Sequence, residues 1–285
     1  MSDLYNNLKD KFNERLTDFF RPLEKVINEN LFDAMKYSIF NTGKRLRPVL
    51  CMLGARFAGG VEDDIMTFAL ALEMIHTYSL IHDDLPSIDN DSLRRGKLTT
   101  HVMHGEGIAV LAGDALLNLA YEIMTEETLK TGNFRRLRAM NLIMKCAGCK
   151  GMLNGQAKDI DYERSGSFLF EHILNMYRNK TSDLIRAALV SGAMIKGAHK
   201  DELKSLSLFA DSFGVYFQIQ DDLLDEAQAS PVNKKKANFV KAVGAEESQR
   251  ALIQYEKFIR EALEPFGARA AEILELFENM KNREN

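Results

Sequence analysis

The sequence predicts an all-α fold, one bundle of about ten helices over residues 1–285, and three observations predict it. Apolar residues recur at intervals of three and four along most of the chain. Alternating β-branched runs bounded by turn dipeptides, the mark of strands, are not evident. The breaks between periodic stretches are short, and none is long enough to be a linker between domains.

The elements follow in order. Phe12, Leu16, Phe19 and Phe20 mark the buried stripe of a first helix. Asn41-Thr42-Gly43, with Pro48 just beyond, separates what precedes from a helix beginning at Val49, which Ala58-Gly59-Gly60 ends. From Ile65 to Ile81 the chain is apolar nearly all round. Pro86 to Gly96 and Gly105-Glu106-Gly107 are the next breaks, and Ile108 to Met124 is again apolar nearly all round. Helices of that kind are expected at the centre, surrounded by others. Thr131-Gly132-Asn133, Ser165-Gly166-Ser167 and Ser230-Pro231 punctuate the rest. Leu174, Tyr177, Leu184, Ile185 and Leu189 keep helical spacing, although Asn179 to Ser182 interrupts them. A bundle of this size is expected to carry its ligand site in a deep interior cavity.

Composition narrows the partners. A hydrophobic share of 46% with five prolines fits a soluble helix-rich globule, and the net charge of -4 provides no basic field for nucleic acid. Met1 to Asn7 lack the basic and apolar regions of a secretory signal, and no run approaches the roughly 18 apolar residues of a membrane span. The odd count of cysteines, Cys51, Cys146 and Cys149, favours a reducing compartment, so a cytoplasmic location is expected. Cys146-Ala147-Gly148-Cys149 has no second ligand pair and reads as small residues on a packed helix.

Two acidic segments carry the chemistry: Asp83-Asp84-Leu85-Pro86-Ser87-Ile88-Asp89 and Asp221-Asp222-Leu223-Leu224-Asp225, each following an apolar run. Clustered carboxylates beside core sequence are costly unless a cation neutralises them. Hard oxygen donors suit magnesium, whose usual partner on a protein is a phosphate ester or diphosphate. Asp221 and Asp225 lie one helical turn apart and face the same way. Asp83 and Asp89 would sit roughly 240° apart on a regular helix, so the helix is expected to end near Pro86 and let Asp89 fold back.

Diphosphates need cations, and these surround the acidic segments: Lys44, Arg45 and Arg47 after Gly43, Arg94-Arg95-Gly96, Lys180-Thr181, and the Lys234-Lys235-Lys236 run. His76 precedes Asp83 by two helical turns on nearly the same face.

Taken together, Thr42 to Pro48, His76 to Asp84, Leu93 to Gly96, Ala112-Gly113-Asp114, Gly155-Gln156, Lys180-Thr181 and Phe217 to Asp222 resemble the trans-isoprenyl diphosphate synthases, most closely the bacterial farnesyl diphosphate synthase (geranyltranstransferase) group. The resemblance runs from about Ala34 to Leu252 with the motifs in family order. It implies an all-α homodimer that joins an allylic diphosphate to isopentenyl diphosphate. About three magnesium ions, held by Asp83, Asp84, Asp89, Asp221 and Asp225, are implied with the allylic diphosphate bound. Arg94, Lys180 and Lys236 are implied to charge-stabilise that leaving group. Lys44, Arg47, His76 and Arg95 are implied to hold isopentenyl diphosphate, and Thr181 and Gln218 to steady the reacting carbons. Tyr78 and Ser79, upstream of Asp83, are implied as the floor under the growing chain, with bulky Tyr78 matching a fifteen-carbon product.

The chain departs from the family after Asp225. Glu226 to Asn233 replaces a glycine-rich loop bearing a Gly-Lys, either a true deletion or a segment left out of the sequence. A geranylgeranyl diphosphate synthase and a non-catalytic partner subunit are the alternatives. A terpene cyclase is disfavoured by the second Asp-rich motif with Lys44 and Arg47, and a di-iron bundle by the absence of Glu-x-x-His spacing.

Overall fold

The computed structural model describes residues 2–41, 43–165, 169–227 and 238–282. These form helices α1 (Asp3–Phe20), α2 (Glu29–Ile39), α3 (Leu46–Phe57), α4 (Met66–Asp83), α5 (Thr100–His104), α6 (Glu106–Thr131), α7 (Phe134–Ala147), α8 (Met152–Ser165), α9 (Phe170–Tyr177), α10 (Asp183–Ile195), α11 (Lys200–Ala227), α12 (Phe239–Val243), α13 (Ala245–Leu263) and α14 (Ala271–Lys281). The all-α expectation holds.

Local sequence explains how the helices start and which faces they bury. Ser2 caps α1, its Oγ accepting the Tyr5 N–H at 3.4 Å, and Asn28 and Asn133 cap α2 and α7 in the same way. Along α1 the buried residues are Tyr5, Leu8, Phe12, Leu16 and Phe20, the three-and-four stripe of an amphipathic surface helix.

In α4 the burial runs all round, from Met66, Phe68 and Ala69 through Met74 and Ile75 to Tyr78 and Ile81. It packs against α1, α2, α3, α6, α7 and α10, so it is the central helix that its sequence predicts. For α6 that expectation fails. Its covers are α2, α4, α5 and α7, and Leu111 and Leu129 are 53% and 77% exposed. Both helices reach the length and apolarity of a membrane span, but 72% of the apolar window of α4 is buried by the protein against 39% for α6. Apolarity all round requires cover on every side, and this chain supplies α6 with cover on only some of them.

Two departures from regular helix shape the site. Between α9 and α10, Arg178–Ser182 forms a π-helical turn, at the position where the apolar stripe is interrupted. Between α4 and α5, strands β1 (Leu93–Arg94) and β2 (Lys97–Leu98) make a small antiparallel hairpin. Its central residues, Arg95 and Gly96, have φ values of 54° and 75°, the left-handed pair that a tight hairpin turn requires. The hairpin was not expected from sequence, since strands of two residues carry no readable alternation.

Candidate active site

The first acidic segment is built by the end of α4. The helix stops at Asp83, and the chain then turns so that the Asp89 N–H donates to the Asp83 carbonyl at 2.9 Å. The fold-back expected from Pro86 is therefore present, and it places Asp83 and Asp89 on the wall of one cavity. Burial raises the Asp83 carboxyl to about 6, with the nearby charge of Lys180 opposing and that of Asp89 reinforcing the shift.

Asp84 is placed differently from the expectation. It is buried but lies outside the lining of this cavity, where Arg94 Nε donates to both its oxygens at 2.7 and 2.9 Å and Nη2 lies 2.6 Å from Oδ1. Asp83 and Asp84 diverge by about 100° round the end of α4, and here that rotation carries Asp84 off the cavity lining. One is a wall carboxylate, and the other anchors the arginine of the hairpin.

The second segment divides in the same way along α11. Gln218 and Asp221 line the cavity, whereas Asp225 is exposed and outside that lining. Asp222 is buried on another side and accepts hydrogen bonds from the Tyr177 hydroxyl and, at 2.8 Å, from the Phe239 N–H. Burial pushes its carboxyl up to about 7. Lys236 and its neighbours Lys234 and Lys235 lie outside the described residues.

Another part of the lining is basic. Arg45 has φ at 52°, and its side chain turns inward to pair with Glu73 at 2.6 Å while Nε donates to Asn13 Oδ1 at 3.1 Å. The Tyr5 hydroxyl donates to the Lys44 carbonyl, so α1 grips the same loop. With Arg45 pinned, Lys44 and Arg47 on either side of it line the cavity together with His76, Arg94 and Arg95. Arg47 Nε is buried with no hydrogen-bond partner among the described residues, and burial lowers the guanidinium to about 10. His76 is driven well below the usual imidazole range, first by burial and then by the charges of Arg47 and Arg95. An orphaned buried guanidinium beside a neutral imidazole and further arginines is a site short of negative charge.

The π-helical turn completes the wall. Lys180 donates to Asp159 of α8 at 2.6 Å, and Thr181 donates to Gln218 Oε1 at 2.9 Å. Gly155 lets α8 approach this turn, because a Cβ there would fall 2.3 Å from the Lys180 nitrogen. Gln156 also lines the cavity, with a buried Nε2 that has no partner among the described residues. Tyr78 and Ser79 line it from α4. The cavity volume is about 880 Å³.

The donors facing the cavity from the two acidic segments are carboxylate oxygens, the chemistry that magnesium takes. Among the described residues no three acidic, histidine or cysteine side chains form a ready-made metal cage. Magnesium binds through one or two carboxylates and completes its shell with phosphate oxygens and water. Asp83, Asp89 and Asp221 around one cavity fit that mode of binding. Asp159, Glu73, Asn13 and Tyr5 contribute to the site without having been predicted. Asp159 could have been found by continuing the Gly155-Gln156 motif one helical turn, whereas Glu73, Asn13 and Tyr5 carry no local signal.

Comparison with known proteins adds an independent line. The polyprenyl synthetase family model matches residues 28–239. A dimethylallyltranstransferase of Fischerella ambigua is 38% identical over 95% of this chain and 82% of its own length. A chloroplastic geranylgeranyl pyrophosphate synthase of Catharanthus roseus is 36% identical over 90% of this chain and 74% of its own. The crystal structure of an FPP/GFPP synthase from Zymomonas mobilis superposes with a TM-score of 0.89 at 32% identity, covering 98% of this chain and 100% of that one.

Proposed function

The chain belongs to the polyprenyl synthetase family, and from that membership we propose a magnesium-dependent synthase that condenses dimethylallyl or geranyl diphosphate with isopentenyl diphosphate to give farnesyl diphosphate. Prenyl transfer as such follows from the family and its relatives. The observation that carries the reading further is a single cavity lined by both carboxylates and cations, with Tyr78 of α4 in the same lining.

On this reading Asp83, Asp89 and Asp221 hold magnesium at the cavity, while Asp84 and Asp225 stand outside its lining. Magnesium supplies charge neutralisation for the departing diphosphate when bound. Lys180 and Arg94 add fixed positive charge to the same leaving group, and Lys236 is proposed to do so from the segment before Phe239. Asp159 and Asp84 set the direction of the first two charges. Lys44, Arg47, His76 and Arg95 hold the diphosphate of isopentenyl diphosphate, which satisfies the orphaned Arg47 Nε.

Holding both substrates in one cavity replaces a bimolecular encounter. Breaking the allylic carbon–oxygen bond leaves a cation, which the double bond of isopentenyl diphosphate attacks, and a proton then leaves to the released diphosphate. The paired dipoles of Thr181 and Gln218 face the cavity where that cation forms.

A fifteen-carbon product rests on Tyr78, which is 3% exposed and lines the cavity upstream of Asp83. The second reading, a twenty-carbon product, is favoured by the geranylgeranyl pyrophosphate synthase among the relatives. The exposed apolar residues of α6 and α7, including Leu111, Phe134 and Met144, support a homodimer in which a second copy covers them. The free cysteines accord with a reducing cytoplasm, and one catalytic unit spans residues 1–285.

The test is incubation of the purified protein with magnesium, isopentenyl diphosphate and geranyl diphosphate, followed by chain-length analysis of the dephosphorylated products. A fifteen-carbon alcohol is the expected result, and a twenty-carbon alcohol would keep the synthase while replacing its product. Diphosphate binding that needs magnesium but yields no product would favour a non-catalytic partner subunit.

A further inference from the structure

Tyr78 does not hold its position alone. Its ring meets the His82 imidazole edge-on, with centroids 5.7 Å apart and an interplanar angle of 81°. The two residues are one helical turn apart on α4, and both line the cavity. His82 is fixed from its other side by α6. Nε2 lies 3.1 Å from the Val110 carbonyl oxygen, which only accepts, so this nitrogen carries the proton. Asp114 Oδ1 lies 3.8 Å from the same nitrogen. The imidazole fits against α6 because position 113 is glycine: a Cβ there would come within 2.2 Å of Nε2 and 2.5 Å of Cδ2.

We propose that His82, seated against Gly113 of α6, is a positioning residue that braces the Tyr78 ring and thereby acts as a second determinant of product length. The inference rests on the reading above in which Tyr78 floors the prenyl chain. An aromatic ring with open space behind it yields to a growing apolar tail, whereas a ring backed by a hydrogen-bonded imidazole does not. Gly113 fixes how far that imidazole stands from α6, and so how far it presses toward Tyr78.

The geometry gives opposite signs to two substitutions. His82→Ala removes the brace, lets Tyr78 swing into the vacated space and lengthens the product. Gly113→Ala drives the imidazole away from α6 toward Tyr78 and shortens it. In the double variant the added methyl has no imidazole to displace, so its product should match that of His82→Ala.

The experiment measures chain-length ratios of products made from dimethylallyl and isopentenyl diphosphates with magnesium, for the unaltered chain, these three variants, His82→Gln and Tyr78→Ala. For His82→Ala the ratio of twenty- to fifteen-carbon product should rise roughly tenfold, the scale on which an apolar pocket discriminates by small changes in volume. Gly113→Ala should accumulate ten-carbon product. His82→Gln keeps a donor for the Val110 carbonyl and should fall between the unaltered chain and His82→Ala. A ratio reports only on folded, active molecules, so partial loss of stability leaves it readable. Unchanged ratios in both the His82 and Gly113 variants, with a longer product from Tyr78→Ala, would overturn the brace and leave the floor standing. An unchanged product from Tyr78→Ala would overturn the floor, and the brace with it.

Discussion

Helices α4 and α6 run beside each other and are similarly apolar, yet one is enclosed by six other helices and the other leaves Val110, Leu111 and Leu129 in the open. The difference teaches that a helix without a polar face needs cover, and that sequence does not say whose chain provides it. For α4 the cover is internal, and it fixes the direction of the cavity-lining residues His76, Tyr78 and Asp83. For α6 we propose that it comes from a second copy.

The largest expected effects test the internal cover. Phe68→Ala empties a fully buried position of α4 and should cost about 3–5 kcal/mol in denaturant unfolding. A cost near zero would mean that α4 is not the enclosed helix it is taken to be. At the cavity end of the same helix, Asp83→Asn should lower turnover by about 10²–10³-fold, as loss of one charge-stabilising group does. Glu126→Gln on the exposed side of α6 should leave turnover within about twofold. Equal losses at the two sites would contradict the assignment of catalysis to the α4 end.

A smaller effect concerns cover that depends on a proton. Burial raises Asp222 from 3.8 to about 7, so the folded chain holds this proton more tightly than the unfolded chain. Its contribution to stability is fully present below about pH 4 and is lost as pH rises through about 7. Metal-free protein should therefore lose stability between about pH 5 and pH 8 more steeply than Asp222→Asn. Parallel profiles for the two would remove Asp222 from the linkage.

The smallest effect on the protomer comes from α6. Leu111→Glu should change unfolding free energy by less than about 0.5 kcal/mol while shifting sedimentation from dimer to monomer. A dimer that survives the added charge would place the interface elsewhere.

Much of this molecule is legible in its sequence, for reasons that are local. Three-and-four spacing writes α1, apolarity on every side writes the enclosed α4, Pro86 ends α4 before Asp89, and the interruption at Asn179 to Ser182 becomes a π-helical turn. What was not legible depends on contacts between distant segments. Arg45 and Glu73 are 28 residues apart, and nothing near either one names the other. Asp83 and Asp84 read as equal ligands in the first motif, and Asp221 and Asp225 in the second, but Asp84 and Asp225 both lie outside the cavity lining. Asp83 and Asp221 face the cavity, while Asp84 anchors Arg94 and Asp222 anchors Phe239.

The Asp222 anchor has an evolutionary consequence. One carboxylate on α11 fixes Phe239, the first residue of α12, through the Phe239 N–H and the Tyr177 hydroxyl. The sequence between those two points can therefore gain or lose residues without shifting the register of α12 or of the helices that follow. Doubling the length of a loop costs only about 0.6 kcal/mol in closure entropy. Changes in the length of that stretch are thereby uncoupled from the helices that follow, whereas Lys236 within it is constrained by the diphosphate it is proposed to meet.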